Sequence, residues 1–297
     1  MKKILTLMML LAVACSMPRN SQQEAQAASV QQMRFHCDQD TLRINRLLQD
    51  GLNSEHKSAN ELVAYYADRL LGTPYVAHTL EGDREMLTIN IDELDCTTFV
   101  ETLYALARTT LSGRYSWRDY AANLESVRYR GGQMGDYSSR LHYISDWIVN
   151  NHARGNLVEV TTDLPHATHL VKTIDFMTKH RDSYRSLKDD SAMTAKIRGY
   201  EMGYRNHRMP YLKKSWLGDK AVKAALHDGD FVGLVTNIDG LDISHLGIIH
   251  KDNNGDIYLL DASMTGGKVM LESKKLREHL SGNKSTCLGI RVFRIME

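Results

Sequence analysis

The distribution of apolar residues divides the chain into two parts with different periodicity. In the first part, apolar side chains recur every three or four residues, which places them on one face of a helix. The stretches with this spacing are 41–52, 58–71, 97–108, 116–127 and 140–149. Gly72 and Pro74 follow the second stretch as typical helix end signals. The pattern therefore predicts five helices before residue 150.

Beyond Gly229, short apolar runs bounded by turn residues replace the helical period, and such runs are typical of strands. The runs are 231–235, 246–250, 257–261, 268–271 and 288–295, and a helix is predicted over 273–280. Asn253-Asn254-Gly255 is a hairpin turn signal between the second and third runs. Helices followed by a meandering, mostly antiparallel sheet predict an α+β fold.

Cys96 lies where the third predicted helix begins. Asp95 is a suitable N-cap, so Cys96 would lie in the first turn, among N–H groups without helical partners and at the positive end of the helix dipole. This position stabilises a thiolate, and a cysteine there can be a nucleophile when a base lies nearby. The alternative is a buried, inert cysteine, so the rest of the chain must decide.

Two residues of the predicted sheet could serve such a nucleophile. His245 begins one strand and Asp261 ends the next, and adjacent antiparallel strands bring residues at such positions side by side. The imidazole would be the base, and a carboxylate on its far nitrogen would fix its tautomer and stabilise the imidazolium. Taken singly, His245 could instead be a hydrogen-bonded sheet histidine, and Asp261 a turn residue at the end of its strand.

Composition limits the class of protein. The 297 residues carry a net charge of +1, and 42% are hydrophobic, so we expect one catalytic domain over 41–297 and no nucleic-acid partner. The region 128–217, which contains a stretch rich in Lys and Arg, is interpreted as a helical insertion that shapes a groove wall. His166 and His169 lack the further ligands of a zinc site, so we expect no metal and no cofactor.

The N-terminus has the pattern of an export signal. Lys2 and Lys3 precede the apolar stretch 4–14, which is too short to span a bilayer as a helix. Cleavage before Cys15, as in a bacterial lipoprotein, competes with an ordinary cleavage site at 25–27. Residues 1–27 are thus interpreted as signal peptide and tether. We expect the protein in the periplasm or cell envelope, anchored to a membrane if Cys15 is lipidated.

Export makes the other cysteines informative, because exported proteins meet an oxidising environment. Cys37, Cys96 and Cys287 are an odd number, so at least one of them should be free. A disulfide between Cys37 and Cys287 is one option, and it would leave Cys96 free for chemistry.

Five motifs follow one another along the chain. They are Gly72-Thr73-Pro74-Tyr75, Asp95-Cys96-Thr97-Thr98-Phe99-Val100, Gly229-Asp230-Phe231, Ser244-His245-Leu246-Gly247-Ile248 and Asp261-Ala262-Ser263. In this order they resemble the NlpC-type, papain-like cell-wall cysteine hydrolases. Arg140-Leu141-His142-Tyr143 and Thr265-Gly266-Gly267-Lys268 resemble the N-acetylmuramoyl-L-alanine amidase-like branch.

The resemblance implies a circularly permuted papain-like fold, in which the Cys-bearing helix packs on a small antiparallel sheet. By position, Cys96 would be the nucleophile and His245 the base. Asp261 falls where many relatives carry a second histidine, and a carboxylate is physically suited to the same orienting role. Tyr75 would help to bind the oxyanion beside the Cys96 N–H. The resemblance makes Arg140, His142 and Tyr143 candidates for substrate contact, with a solvated helix face as their alternative.

The implied substrate is peptidoglycan or a muropeptide, cleaved by a monomer at the bond between N-acetylmuramic acid and L-alanine. Three alternatives stay open. The same residues could form an endopeptidase that cuts the stem after D-Glu, or the chain could be a non-catalytic muropeptide-binding lipoprotein. Acyl transfer to or from lipids is less favoured, because the sequence offers no obvious apolar tunnel.

Overall fold

The computed structural model describes residues 32–282 and 285–297. The predicted signal peptide and Cys15 therefore lie outside the described residues. Within the described part, no helix is both long and apolar enough to cross a membrane. The helices are α1 (Asp40–Asn53), α2 (Ala59–Arg69), α3 (Cys96–Leu111), α4 (Trp117–Arg128), α5 (Ile144–Ala153), α6 (Phe176–Lys179), α7 (Arg185–Lys188), α8 (Ser191–Met202), α9 (Lys220–Ala225) and α10 (Leu276–His279).

The strands form one large antiparallel sheet and one small parallel pair. They are β1 (Met33–Phe35), β2 (Leu87–Ile89), β3 (Leu157–Glu159), β4 (Thr168–Lys172), β5 (His207–Lys213), β6 (Phe231–Thr236), β7 (Ile243–Lys251), β8 (Ile257–Ser263), β9 (Lys268–Lys275) and β10 (Cys287–Ile295). The large sheet has the order β4-β5-β10-β6-β7-β8-β9, with β3 also paired to β10, and β1 pairs with β2. The α+β prediction is confirmed.

Helix α3 is the centre of the main core. Every residue from Thr98 to Ala107 is buried, because α1, α2 and α4 surround the helix on one side and β7 and β8 cover it on the other. The sequence pattern predicts a single buried face, so this burial is more complete than expected. The acidic residue within this buried stretch of α3, Glu101, accepts a hydrogen bond from Arg128 at 2.6 Å. The guanidinium group gives the buried carboxylate a counter-charge.

The five strands predicted after Gly229 all form, as β6 to β10. Four predictions need correction. The sheet is larger than the small one expected, since it has eight strands in the part of the chain that the structure describes. The helix predicted over 273–280 is confined to Leu276–His279, because β9 extends to Lys275. The region 128–217 is not a purely helical insertion, because β3, β4 and β5 lie in it and extend the sheet. The helix predicted over 140–149 begins only at Ile144, because the side chain of Arg140 bonds to Glu81 and Glu85, and its backbone pairs with Tyr129 as an isolated bridge.

Candidate active site

Cys96 is the first residue of α3 and is partly buried against the main core. Asp95 and Thr98 form a capping box: Asp95 Oδ1 accepts from the Thr98 N–H at 2.8 Å, and Thr98 Oγ1 accepts from the Asp95 N–H at 2.9 Å. The cap fixes where the helix starts, and so fixes the position of the thiol at its positive end. The N-cap prediction for Asp95 is confirmed.

His245 and Asp261 lie on the adjacent antiparallel strands β7 and β8. The register pairs Ile248 with Leu260. Asp261 is the next residue of β8, and His245 lies three residues before Ile248 on β7, so both lie beyond this pair towards the same end of the two strands. His245 Nε2 is hydrogen-bonded to Asp261 Oδ2, and the Asp261 side chain is almost fully buried. Since Nε2 is engaged in this way, Nδ1 is the ring nitrogen that remains for the thiol.

Gly247 makes room for this hydrogen bond. A Cβ atom on Gly247 would lie 2.8 Å from the Leu260 carbonyl oxygen and 3.0 Å from Cβ of Asp261, both closer than side chains normally approach. A side chain here would therefore displace Asp261 or its strand. In the sequence this glycine is only part of a motif, because its packing role depends on the register of β7 and β8.

The electrostatics of His245 favour its protonated form. Burial by itself lowers the pKa of His245, but the hydrogen bonds to Asp261 and to Cys96, together with their negative charges, outweigh it and raise the pKa from 6.5 to about 10. His245 is thus protonated at neutral pH. It interacts with both a thiol and a carboxylate, which is the arrangement that a nucleophile, a base and an orienting group require.

Tyr75 lies beside this cluster and is held by backbone bonds on both sides. Its N–H donates to the Gly267 carbonyl at 2.9 Å, and it bridges in parallel to Leu94, two residues before Cys96. Burial raises the pKa of the Tyr75 hydroxyl, and the negative charges at Cys96 and Asp95 raise it further. The hydroxyl is therefore protonated at neutral pH and able to donate a hydrogen bond.

The side chains of Arg140, His142 and Tyr143 all make contacts within the protein. Arg140 is nine-tenths buried and bonds to Glu85 at 2.7 and 3.0 Å and to Glu81 at 2.8 Å. His142 is bonded through Nε2 to the Tyr137 carbonyl oxygen at 2.9 Å, and its burial, followed by the charge of Arg140, lowers its pKa to about 3.

The Tyr143 hydroxyl donates to Glu201 at 2.8 Å inside a separate small apolar cluster. Of the three substrate-contact candidates, only Arg140 lines a large open cavity. Within the described part of the chain, no hydrogen bond or ion pair of these three side chains reaches Cys96, His245 or Asp261. Their assignment as substrate contacts stays a prediction.

Cys37 and Cys287 are both free thiols, so the possible disulfide between them is absent from the structure. Cys37 lies with Asp40 and Asp92 in a group whose ligand atoms are all within 4.8 Å of one another, close enough to hold a metal ion. Arg43 already forms an ion pair with Asp92, and the Cys37 N–H donates to Asp40 at 2.9 Å. Arg43 thus supplies a counter-charge to Asp92, and backbone N–H groups of His36 and Cys37 bond to Asp40.

Comparisons with known proteins place this geometry in context. The model of the N-acetylmuramoyl-L-alanine amidase-like family matches residues 65–290, which contain Tyr75, Cys96, His245 and Asp261. The crystal structure of an N-acetylmuramoyl-L-alanine amidase from Bacteroides uniformis is similar, with a TM-score of 0.76 and 35% identity over 80% of this chain and 99% of that one.

Two further solved structures share the fold. A Bacteroides fragilis protein, provisionally named a xylanase, has a TM-score of 0.73 and 38% identity over 77% of this chain and 99% of that one. A Legionella pneumophila protein has a TM-score of 0.66 over 87% of this chain and 95% of that one, and its 22% identity shows likeness of fold alone. None of the curated proteins matches the chain.

Proposed function

Because the chain belongs to the N-acetylmuramoyl-L-alanine amidase-like family, we propose that it is a cysteine amidase. Its substrate is the amide bond between N-acetylmuramic acid and L-alanine in peptidoglycan or muropeptides. Cys96 is the nucleophile, His245 moves the proton, and Asp261 orients His245. The Bacteroides uniformis relative is named an N-acetylmuramoyl-L-alanine amidase, which supports this choice of bond.

The observation that carries the proposal is the position of His245 between two partners. Its Nε2 bonds to the buried Asp261, and a hydrogen bond to the Cys96 thiol is among the causes of its raised pKa. A thiol at a helix start, a base in contact with it and a carboxylate behind the base are the three parts that thiol catalysis needs.

In the acylation step, the Cys96 sulfur attacks the carbonyl carbon of the lactyl group and a tetrahedral oxyanion forms. We assign its stabilisation to the Cys96 N–H, one of the first N–H groups of α3 with no partner within the helix, and to the Tyr75 hydroxyl. The His245 imidazolium gives its proton to the L-alanine nitrogen as the C–N bond breaks. A thioester on Cys96 and a stem peptide with a free amino terminus result.

In the deacylation step, neutral His245 takes a proton from a water molecule, and the resulting hydroxide equivalent attacks the thioester carbonyl. The C–S bond breaks, the sulfur leaves as thiolate, and the sugar departs with a free carboxyl group. Asp261 stabilises the imidazolium each time it forms. Water is the only co-reactant, and the initial thiolate–imidazolium pair is restored.

Chain order supports the papain-like part of the proposal. The nucleophile on α3 precedes the histidine on β7 and the carboxylate on β8, and α3 packs against these strands. This order agrees with a papain-like fold, and from the sequence motifs we propose its circularly permuted NlpC-type form for this chain.

The provisional name of the Bacteroides fragilis relative suggests glycoside hydrolysis as a competitor. Glycosidases use two carboxyl groups that flank the scissile bond. The cluster around Cys96 offers one carboxylate next to the base, Asp261, and that carboxylate is already bonded to His245. This chemistry favours amide hydrolysis.

Incubation with N-acetylmuramoyl-L-Ala-D-Glu-L-Lys, followed by mass measurement of the products, tests the bond. Free N-acetylmuramic acid with an intact stem peptide supports the amidase. N-acetylmuramoyl-L-Ala-D-Glu as a product would show an endopeptidase that cuts after D-Glu. Unchanged substrate after prolonged incubation would contradict both and favour a muropeptide-binding protein.

Export is part of the proposal, since peptidoglycan lies outside the cytoplasm. We propose a monomer in the periplasm or cell envelope, anchored through a lipidated Cys15. Fractionation of cells that express the full chain, beside a Cys15→Ser variant, tests the anchor. A wild-type protein that is fully soluble after fractionation would contradict lipidation at Cys15.

A further inference from the structure

The turn between β8 and β9 lies at the same end of the sheet as His245. A Cβ atom on Gly247 would lie 3.0 Å from Cβ of Asp261, so these two positions face each other across β7 and β8. His245 and Ser263 lie two residues beyond this pair on antiparallel strands, and therefore also face each other. Ser263 is in turn paired with Lys268 on β9, which completes a row of three positions across neighbouring strands.

The side chain of Lys268 leaves β9 on the face that carries Asp261. Met270 is the register partner of Asp261, and directly paired residues lie on the same face of a sheet. Lys268 lies two residues before Met270 and so shares that face. Neighbouring strands are about 4.8 Å apart, so the backbone of Lys268 lies roughly 10 Å from that of His245. Its flexible four-carbon side chain can cover much of this distance.

On its other side, Lys268 adjoins the segment that holds Tyr75. Lys268 pairs with Pro74 as an isolated antiparallel bridge, and the Tyr75 N–H donates to the carbonyl oxygen of Gly267 at 2.9 Å. Burial raises the pKa of Tyr75, and the negative charge at Cys96 raises it further, so Tyr75 lies within electrostatic reach of the thiol. Lys268 is thus positioned between the catalytic histidine and Tyr75, the two groups that we place around the nucleophile.

The turn that carries Lys268 is held by hydrogen bonds and by packing. The Gly266 N–H donates to Ser263 Oγ at 3.1 Å, and the Gly267 N–H donates to the Ser263 carbonyl oxygen at 2.8 Å. Gly267 has a φ of 70°, in the left-handed region that favours glycine. A Cβ atom on Gly266 would collide with Sδ of Met270, so the turn packs directly on β9. The backbone of Lys268 is therefore in place before a ligand binds.

The ammonium group of Lys268 is available to a ligand. Lys268 is exposed and forms no side-chain hydrogen bond or ion pair in the part of the chain that the structure describes. The carboxylate next to Ser263 is already engaged: Glu272 Oε1 accepts from Ser263 Oγ at 3.0 Å, and Glu272 Oε2 lies 3.6 Å from Nδ1 of His279. A free cation here would offset the repulsion that an anionic ligand group meets from the Cys96 thiolate.

The proposed substrate has a carboxylate close to the bond that is cleaved. In the stem, D-Glu is joined to the third residue through its γ-carboxyl group, so its α-carboxylate stays free. Only L-alanine separates D-Glu from the scissile bond, so this carboxylate lies roughly 6 Å from the scissile nitrogen in an extended stem. We propose that the α-carboxylate of D-Glu binds the ammonium group of Lys268. The inference rests on the proposed function and names the residue that recognises the second position of the stem.

Binding to the Cys96→Ala protein tests this recognition without turnover. Two ligands are compared, N-acetylmuramoyl-L-Ala-D-Glu and N-acetylmuramoyl-L-Ala-D-isoglutamine, in which a carboxamide of the same size replaces the α-carboxylate. We expect the carboxylate ligand to bind about two- to fivefold more tightly in calorimetry at low salt, the size that an exposed ion pair provides. Salt should remove the difference. Equal affinity for the two ligands, or binding of neither, would overturn the inference.

Charge variants at Lys268 locate the effect in the same Cys96→Ala background. Lys268→Met removes the charge and keeps most of the side chain, so we expect it to bind both ligands equally. Lys268→Glu reverses the charge, so we expect it to bind the carboxamide ligand more tightly. The matched control Lys274→Met, on an exposed residue near the other end of β9, should keep the preference for the carboxylate. A preference that survives in Lys268→Met would overturn the assignment to this residue.

Turnover by the wild-type protein separates this inference from the proposed function. If the wild type cleaves both ligands and the binding preference is absent, the recognition fails and the amidase stands. If the wild type cleaves neither, the amidase fails, and the binding comparison still decides whether Lys268 recognises the carboxylate.

Discussion

Asp261 Oδ2 is hydrogen-bonded to His245 Nε2 across the adjacent strands β7 and β8, and this bond determines which ring nitrogen of the imidazole is free. With Nε2 occupied, Nδ1 is left for the Cys96 thiol. The same carboxylate helps to raise the pKa of His245 to about 10 against the effect of burial. One contact thus fixes both the orientation and the charge of the base.

Replacing Asp261 with alanine should therefore change the pH profile as well as the rate. Asp261 is one of the two groups whose hydrogen bond and charge offset burial, so without it the pKa of His245 falls and the proton donor of the acylation step is lost at lower pH. We expect the alkaline limb of kcat to start near pH 10 in the wild type and to move down by about a unit or more in Asp261→Ala. We also expect kcat to fall by about 10²- to 10⁴-fold.

Asp228→Asn is the matched control, because Asp228 also contacts a histidine of β7: its Oδ1 lies 3.5 Å from Nδ1 of His250, at the other end of the strand. Its pH profile should follow that of the wild type. An Asp261→Ala variant with an unshifted alkaline limb would show that another group is the proton donor.

Gly247→Ala should disturb the site through packing. The new Cβ would lie 3.0 Å from Cβ of Asp261 and 2.8 Å from the Leu260 carbonyl, so Asp261 must move relative to His245. We expect a loss of about 1–3 kcal/mol in the free energy of unfolding from overpacking. We also expect a fall in kcat that persists at temperatures where the variant is fully folded, as checked by circular dichroism beside the assay.

Gly199→Ala provides the control for that substitution. Gly199 lies in α8 with open space around its Cβ position, so alanine should stabilise the helix by about 0.5–1 kcal/mol and leave kcat unchanged. Full activity of a folded Gly247→Ala protein would mean that Asp261 tolerates the displacement.

The buried ion pair between Glu101 and Arg128 predicts a large stability effect at the base of α3. Arg128→Met leaves the Glu101 carboxylate buried without its counter-charge, and we expect the free energy of unfolding to fall by about 3–5 kcal/mol in denaturant titration. The double variant Glu101→Leu with Arg128→Met should recover much of this loss, because it removes both charges. A double variant no more stable than the single one would show that the pair acts through geometry rather than charge.

A variant of Arg140 distinguishes a structural role of this residue from a direct contact with substrate. Arg140→Ala removes the ion-pair partner of the buried Glu85, so we expect a clear loss of thermal stability. KM should rise only as far as the substitution changes the shape of the cavity that Arg140 lines. Comparison of the melting temperature with KM checks this expectation. Unchanged stability together with a large rise in KM would show that Arg140 binds substrate directly.

The sequence was sufficient for the local features of the site and for most of its strands. The Asp95 cap fixes the start of α3 through contacts within four residues, so pattern alone locates Cys96. His245 and Asp261 belong to a hairpin whose turn, 253–255, has a clear signal, so their proximity follows from local pairing.

Contacts between distant segments are what the sequence could not supply. Arg140 falls in a helical period but is held out of the helix by Glu81 and Glu85, more than fifty residues earlier in the chain. The strands β4 and β5 pair across an interval of more than thirty residues, and the sequence pattern of neither strand indicates its partner. The cavity lined by Arg34 and Arg185 depends on the same kind of long-range contact, since these residues meet only in the folded chain.

Alkylation coupled to activity tests the nucleophile most directly. Iodoacetamide at pH 7 is added to the wild-type protein and to Cys37→Ser, which removes the other partly exposed thiol among the described residues. Modification of each cysteine is followed by peptide mass spectrometry beside residual amidase activity. We expect Cys96 to react first in both proteins and activity to fall in step with its modification. Full activity in protein whose Cys96 is completely alkylated would contradict Cys96 as the nucleophile.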